Sequence, residues 1–294
     1  MSSTAVRPRL AALLGYSIFG FSFLATKTAA ASASPFLLLA FRFTAALICM
    51  TVLLCVRRPP FHPFRRGAWK ILLLGLAQPV LYGVFETYGI TLAGSAVAGS
   101  VISTASVFAY LLAVLFLGEK FKWSQFFFAL GSIAGVFLLT FRGDAHGTSP
   151  LVGVLFVLAA ALCAAAFSVL SKSAAKAFSA FERTYMMFLV SAVAFTAAAM
   201  VEAGKDFLPQ VRLCLATPSF MLSILYLAVF SSVIAFLCIN YAYTSLSVRA
   251  TAAFNAMTAV VSVVAGIFVG EPLRALDFVG IAVILLCVYK VASV

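Results

Sequence analysis

Residues 21–30, FSFLATKTAA, and residues 167–175, FSVLSKSAA, are two versions of one segment, and each ends a long apolar block. When the two segments are superimposed, three residue pairs match: Lys27 with Lys172, Ser34 with Ser179, and Phe36 with Phe181. A second match, FLGE at 116–119 and FVGE at 268–271, precedes the last apolar block of each half. Such internal similarity predicts two related halves, residues 1–146 and 147–294.

The composition is that of a membrane protein. Of the 294 residues, 64% are hydrophobic and 10% are charged, whereas about 25% are charged in an average soluble domain. The apolar residues form long blocks, as helices in lipid require. This composition excludes a soluble enzyme, a disordered chain and a disulfide scaffold. The six cysteines have no spacing typical of a metal or redox site.

The apolar blocks predict an all-α integral membrane protein with ten transmembrane helices, because each span needs about 20 residues. The predicted spans are 10–29, 36–56, 70–91, 95–117, 124–141, 151–174, 183–202, 218–240, 248–269 and 275–293. Five spans per half is an odd number, so the second half enters the membrane from the opposite side. The sequence therefore predicts two inverted five-helix repeats in one compact membrane domain, an architecture typical of secondary transporters.

The distribution of Lys and Arg predicts the orientation. With the N-terminus in the cytoplasm, most of these residues fall in cytoplasmic loops, in accord with the positive-inside rule. The net charge of +12 then reflects membrane topology, and no nucleic acid partner is expected. We expect a multi-pass protein of the cytoplasmic (inner) membrane, surrounded by the lipid bilayer, with both termini in the cytoplasm.

Several motifs resemble those of the EamA-type permeases of the drug/metabolite transporter (DMT) superfamily. They are Phe19, Gly20, Phe23 and Lys27 in span one, Ser34-Pro35 and Arg42-Phe43 at span two, and the Gly-Glu ends at 118–119 and 270–271. The resemblance covers nearly the whole chain. It implies a carrier for small metabolites, with a central cavity among spans one to four and six to nine, and it favours export of amino-acid-like metabolites.

Three charged residues are predicted in the outer part of the membrane. Glu86 lies sixteen residues after Lys70, or roughly 24 Å along a helix. Arg42 lies seven residues into span two, and Lys27 lies near the outer end of span one. Charged groups are costly in a bilayer and are therefore functional candidates. They form either a gate or ion pair, or a site for a substrate charge, while Glu86 alone could be structural and Lys27 could snorkel outward.

The matching of the two halves does not repeat these charges. Met187 takes the place of Arg42, and Cys238 takes the place of Glu86. The asymmetry suggests a function for these charges, although an ion pair with a purely structural role can also be asymmetric. The resemblance to the family at Arg42 favours a shared structural or gating role for that residue over a role in substrate choice.

Pro79 predicts a kink in span three, because a proline ring removes a backbone hydrogen bond and crowds the preceding turn. Gln78, Tyr82 and Glu86 follow one another at intervals of four residues and form a polar stripe on one face. Interrupted helices commonly line transporter sites, although a kink can also serve packing alone.

Five more residues complete the predicted substrate-binding or coupling site: Phe19, Phe23, Tyr88, Asn240 and Asn255. The aromatic rings could form cavity walls and attract a cation, and the asparagines are expected to face inward. Gly131 and Gly135 form a GxxxG motif in span five, which packs against a neighbouring span or joins a homodimer. Without that contact the protein is expected to be a monomer.

These features predict a secondary carrier for a small metabolite that works by alternating access. The resemblance implies that the metabolite is an amino acid or related amine and that it is exported. The chain has no GxxxxGK[ST] nucleotide loop, so proton coupling or substrate exchange is the expected energy source. The alternative is an uptake carrier for an organic or quaternary cation that uses Glu86 and an aromatic cavity. No metal, cofactor or enzymatic activity is expected, since no nucleophile–base pair, aspartate pair or HExxH motif lies within a span.

Overall fold

The computed structural model describes residues 6–93, 98, 101–140, 150–267 and 275–292, and the regular structure of these residues is helical. The α-helices are α1 (Val6–Ala30), α2 (Pro35–Arg57), α3 (Ala68–Gly75), α4 (Tyr82–Ala93), α5 (Ala105–Leu117), α6 (Trp123–Thr140), α7 (Pro150–Ala174), α8 (Ala180–Ala203), α9 (Phe207–Ala216), α10 (Pro218–Leu225), α11 (Ala235–Ser245), α12 (Val248–Ala253), α13 (Ala256–Ile267) and α14 (Ala275–Ala292). Two π-helical segments, Leu76–Leu81 and Tyr226–Ile234, join α3 to α4 and α10 to α11.

Six helical segments are long and apolar enough to cross a membrane. They are Val6–Ala30, Pro35–Arg57, Ala68–Ala93, Leu151–Ala174, Ala180–Ala216 and Pro218–Ser245. Shorter apolar helical stretches lie within predicted spans four, five and ten, at Ala105–Leu117, Phe126–Gly135 and Phe278–Cys287. The protein is therefore a multi-pass helical membrane protein. Predicted span nine is divided into α12 and α13 by a break at Phe254 and Asn255.

Helix packing relates the two halves of the chain. α1 packs against α11 and α13, while α7 packs against α4 and α5. α2 packs against α8, and α6 packs against α14. When each helix is replaced by its counterpart in the other half, the contacts of α1 become those of α7. The pairs α2–α8 and α6–α14 remain the same pairs. This is the contact pattern of two repeats related by an approximate twofold axis.

The two halves approach closely where α1 meets α13. A Cβ atom added to Gly20 would lie 2.5 Å from Cβ of Val261 and 2.8 Å from the carbonyl oxygen of Thr258, a separation that real side chains do not adopt. Small residues allow helices in a membrane to pack at such distances. Gly20 therefore keeps α1 in direct contact with the second repeat.

The structure corrects the sequence prediction between spans seven and eight. Residues 203–217 were expected to form a loop, but a 3₁₀ turn at Gly204–Asp206 leads into helix α9. Phe207 and Val211 pack on the core, and Cys214 is buried. The segment was overlooked because ten residues are too few for a membrane span, whereas a short helix with one apolar face is stable when it packs on its neighbours.

The predicted GxxxG motif contacts another helix of the same chain. A Cβ atom on Gly131 would lie 3.0 Å from Sγ of Cys287, and one on Gly135 would lie 2.9 Å from Cγ1 of Ile284. Both partners belong to α14. This glycine face is thus used in the packing of α6 against α14.

Candidate functional site

Two adjoining cavities lie between the repeats. The larger has a volume of about 30 Å³ and is lined by residues of both halves, among them Tyr16, Ser106, Ser168 and Asn255. The smaller has a volume of about 10 Å³ and is lined by the side chains of Arg42 and Glu86 among others. Three residues line both cavities: Phe19, Gln78 and Tyr82.

The π-helical segment Leu76–Leu81 positions the polar stripe of span three. The predicted interruption at Pro79 is confirmed, since Gln78 leaves the helical conformation with φ −148° and ψ 123° and precedes Pro79 through a cis peptide bond. Regular helix resumes at Tyr82. Gln78, Tyr82 and Glu86 all face the smaller cavity, so the stripe expected from their spacing is present.

Glu86 is buried and is held by a neutral partner. Glu86 is only 5% exposed. The hydroxyl of Tyr82 donates a hydrogen bond of 2.8 Å to Oε1 of Glu86. Hydrogen bonds to a charged group are among the stronger interactions in proteins. Tyr82 therefore fixes the carboxyl group at the cavity wall.

Arg42 lies in the same cavity and is held by the opposite repeat. Its Nε donates to Oγ of Ser232 over 3.1 Å, and its Nη2 donates to Oγ of Ser231 over 2.9 Å. Both serines belong to the π-helical segment Tyr226–Ile234, where the irregular backbone turns two adjacent hydroxyl groups towards one guanidinium. Irregular helical turns of this kind are frequent at functional sites.

The cavity thus contains one buried cation and one buried carboxyl group that are supported separately. Arg42 is bound by two serines and Glu86 by a tyrosine, and no ion pair within 4.0 Å joins these two described side chains. A guanidinium binds carboxylates through two parallel hydrogen bonds, and a carboxylate binds ammonium groups. The arrangement can therefore bind the two ends of a small zwitterion.

The other predicted site residues divide into two groups. Phe19 and Asn255 line the larger cavity, and Nδ2 of Asn255 donates to the carbonyl oxygen of Ile102 over 3.1 Å. Phe23 and Tyr88 lie elsewhere. Phe23 is buried in a cluster with residues of α4, α5 and α7, and Tyr88 packs edge-on against Phe36 and beside Phe156.

Lys27 lies apart from the cavity that Arg42 and Glu86 line. It is exposed near the end of α1 and lines neither of the two cavities. The sequence had left open that this lysine extends outward from a helix end, and the structure places it in that way.

Asn240 is fully buried in a polar cluster outside both cavities. It accepts a hydrogen bond of 2.7 Å from Oγ of Ser171 and donates one of 2.9 Å to Oγ1 of Thr184. The backbone carbonyl oxygen of Asn240 accepts a hydrogen bond from Nη2 of Arg183 over 2.7 Å. The inward orientation of Asn240 was predicted correctly, but its partner is a buried arginine of the protein.

Sequence reasoning missed the two serines that bind Arg42 and one residue in the wall of the larger cavity. Ser231 and Ser232 bind Arg42, and Ser168 lines the larger cavity. No proline or glycine marks the π-helical segment that carries the serines. Their only signal was position, because the matching of the halves places 228–233 opposite the interruption at 76–81.

Two repeats of membrane-length helices around a polar cavity are typical of membrane transport proteins. The family model described as the EamA-like transporter family matches residues 8–141 and 151–292, one match for each half. The chain belongs to this family, which is part of the drug/metabolite transporter superfamily.

Two relatives agree with that assignment, and one solved structure shares the fold. The chain is 31% identical over 264 residues to the uncharacterized transporter YcxC of Bacillus subtilis, covering 87% of this chain and 83% of that protein. It is 25% identical over 287 residues to an uncharacterized transporter of Archaeoglobus fulgidus, covering 95% and 96%. A solved crystal structure with 20% identity superposes with a TM-score of 0.77 over 97% of both chains, and it shows the shared fold.

Proposed function

We propose that this transporter moves a small zwitterionic metabolite, an amino acid or related amine, and exports it by alternating access. The observation that carries the proposal is the separate support of Arg42 and Glu86 in one cavity between the repeats. Arg42 would bind the substrate carboxylate, and Glu86 would bind its ammonium group. Gln78 and Tyr82 would contact the substrate from the wall, while Phe19 and Asn255 would enclose its side chain in the larger cavity.

We further propose ten spans in two inverted repeats, residues 1–146 and 147–294, with both termini in the cytoplasm and the chain in the cytoplasmic membrane. The exchangeable helix contacts of the two halves support this arrangement, and the concentration of Lys and Arg in one set of loops supports the orientation. A monomer would suffice for transport, since each chain has its own cavity between its own repeats.

The energy source in this proposal is a proton gradient or the exchange of one substrate for another. Glu86 is the candidate for coupling, because it is the buried carboxyl group that faces the cavity. Protonation of Glu86 would release a bound ammonium group, and loss of that proton would allow the next substrate to bind.

A second candidate function is uptake of an organic or quaternary cation. The rings of Phe19, Tyr82 and Phe236 line the smaller cavity together with Glu86. Aromatic faces and one carboxylate attract a cation, and Arg42 would then act only as a structural partner of the serines.

Transport by purified protein in proteoliposomes tests the proposal. Vesicles loaded with unlabelled neutral amino acids should accumulate labelled amino acid from outside by exchange, and Glu86→Gln should lose proton-driven transport. Accumulation of labelled quaternary ammonium compounds, with no exchange of amino acids, would support the second function. Proton-driven amino acid flux that is normal in Glu86→Gln would exclude Glu86 from coupling.

A further inference from the structure

One wall of the larger cavity is closed by three hydroxyl groups, which we name the floor: Tyr16, Tyr243 and Ser168. The hydroxyl of Tyr243 donates to Oγ of Ser168 over 2.7 Å and lies 3.3 Å from the hydroxyl of Tyr16. Tyr16 and Ser168 line the cavity, whereas Tyr243 is fully buried behind them. Tyr16 comes from the first repeat and the other two residues come from the second, so the floor crosses the boundary between the repeats.

Behind the floor lies the turn between α11 and α12, residues 246–247, which we name the inner turn. Nζ of Lys172 donates to the carbonyl oxygens of Tyr243 and Leu246 over 3.1 and 2.6 Å. These groups end α11, where backbone carbonyls have no partner within the helix. Lys172 belongs to α7, one turn beyond Ser168, so the second repeat itself binds the first side of the inner turn.

The other side of the inner turn is bound by the first repeat. Oε1 of Glu119 accepts the backbone N–H of Val248 over 3.0 Å, and its Oε2 lies 2.8 Å from Nε of Arg249. Glu119 follows Gly118, whose left-handed conformation, φ 66°, ends α5. The side chains of Glu119 and Arg249 are only 15% and 17% exposed. Such partly buried charged contacts are stronger than exposed ion pairs.

Two kinds of contact therefore meet at the inner turn. Lys172 and Ser168 bind Tyr243 and the turn within the second repeat, so they can move together with it. Tyr16 and Glu119 bind the same elements from the first repeat. A passage from the cavity past Tyr243 requires the repeats to separate, which breaks only the second kind.

We propose that the inner turn is the gate at this end of the cavity, that Glu119 is its latch, and that Tyr243 links the latch to the cavity floor. A substrate that contacts Tyr16 or Ser168 would displace the hydroxyl of Tyr243, whose backbone carbonyl accepts from the same Lys172 ammonium group that binds the inner turn. The inference rests on alternating access in the proposed function, and the topology proposed above places this gate on the cytoplasmic side.

The gate can be tested without knowledge of the substrate. Ala164, which lines the larger cavity, is replaced by cysteine in the full chain after removal of the six native cysteines. A charged, membrane-impermeant maleimide is then added to either face of proteoliposomes. Glu119→Gln weakens the latch and should raise the rate of labelling from the cytoplasmic face about tenfold. Tyr243→Phe should raise it about threefold.

Glu202, in the last turn of α8, provides a matched control on the other side of the membrane in the proposed topology. Glu202 also joins the two repeats through a single carboxylate, because Oγ of Ser34 donates to its Oε2. Glu202→Gln should leave the labelling rate from the cytoplasmic face unchanged. Thermal unfolding should first show that Glu119→Gln and the parent protein are both folded. Equal labelling rates from the cytoplasmic face in these two proteins would then overturn the proposal.

A cross-link provides a second test if Glu119→Gln folds poorly. Cysteines at positions 119 and 249, joined by a bifunctional thiol reagent long enough for the ion pair that they replace, should stop labelling of the cysteine at position 164 from the cytoplasmic face. Continued labelling of the cross-linked protein would overturn the gate. Labelling requires no substrate, so the two proposals can fail separately. If the labelling rates change as predicted but the protein does not transport amino acids, the gate is supported and only the proposed substrate is wrong.

Discussion

Two arginines are buried in corresponding helices of the two repeats, and their surroundings differ. Arg42 in α2 is bound by two serine hydroxyls and faces the cavity that contains Glu86. Arg183 in α8 is fully buried and is bound by backbone and side-chain oxygens of Ser171 and Asn240, outside both cavities. Burial of an arginine is therefore not by itself a sign of a binding site; the open cavity on one side of the guanidinium makes the difference.

The partners of the two arginines explain the difference. Arg183 donates to carbonyl oxygens in α7 and α11 and so connects three helices of one repeat. Arg42 connects α2 to the opposite repeat through hydroxyl groups, which can also donate hydrogen bonds and rotate. We interpret Arg183 as a structural residue and Arg42 as a ligand-binding residue.

The largest expected effect is the loss of stability in Arg183→Met. This change removes the hydrogen bonds of a charged donor to four buried oxygens of Ser171 and Asn240, and the free energy of unfolding should fall by about 4 kcal/mol. Chemical unfolding in detergent measures the loss. Substrate affinity of the remaining folded protein should be unchanged, and a parallel loss of affinity would contradict the structural interpretation of Arg183.

Arg42→Met should affect binding more than folding. It places in α2 the residue that the second repeat has at this position, and the affinity for amino acids should fall about 100-fold, or about 2.7 kcal/mol. Glu86 is then buried without a cation, which is destabilising. The double variant Arg42→Met/Glu86→Gln should regain stability but not affinity, as calorimetric titration and thermal unfolding would establish. Recovery of affinity in the double variant would exclude a role of the charges in binding.

Tyr82→Phe should have an intermediate effect. It retains the ring and removes the hydrogen bond to Glu86, so the affinity for amino acids should fall about tenfold, or about 1.4 kcal/mol. Tyr88→Phe is the matched control, because Tyr88 lines neither cavity. Equal effects of the two changes in a binding titration would argue against the special place of Tyr82.

The smallest expected effect concerns the N-caps of α2 and α8, the helices that carry the two arginines. Ser34 and Ser179 occupy matching N-cap positions of α2 and α8, and each side chain accepts a backbone N–H of the first turn. Ser34→Ala should lower the free energy of unfolding by about 1 kcal/mol without a change in affinity. Thermal unfolding with and without substrate measures the effect on stability separately from the effect on affinity. A loss of affinity would show that the start of α2 controls the position of Arg42.

Local sequence was sufficient for the first-repeat part of the site. Pro79 predicted the interruption of span three, and the four-residue spacing of Gln78, Tyr82 and Glu86 predicted their common face. The length of span two placed Arg42 in the same region as Glu86. These inferences follow from helix geometry alone.

The remaining contacts could not be predicted because they depend on packing between distant segments. The π-helical segment Tyr226–Ile234 has no proline, so nothing local indicated that Ser231 and Ser232 would face Arg42. Arg183 fell at the start of span seven, where the positive-inside rule assigns a basic residue to the cytoplasmic loop. Its burial results from oxygens in α7 and α11, twelve and 57 residues away. Phe23, Tyr88 and Asn240 are of types that line cavities, but their helix faces are covered by neighbours.

The most direct test of the account is to measure the affinities of three matched ligands for the wild type and for Arg42→Met. The ligands are a neutral L-amino acid, the corresponding amine without the carboxylate, and the corresponding N-acetyl derivative without the ammonium group. In the wild type the amino acid should bind at least about tenfold more tightly than either relative. Arg42→Met should reduce its affinity to that of the amine. Equal affinities of the amino acid and the amine in the wild type, unchanged in Arg42→Met, would contradict the account.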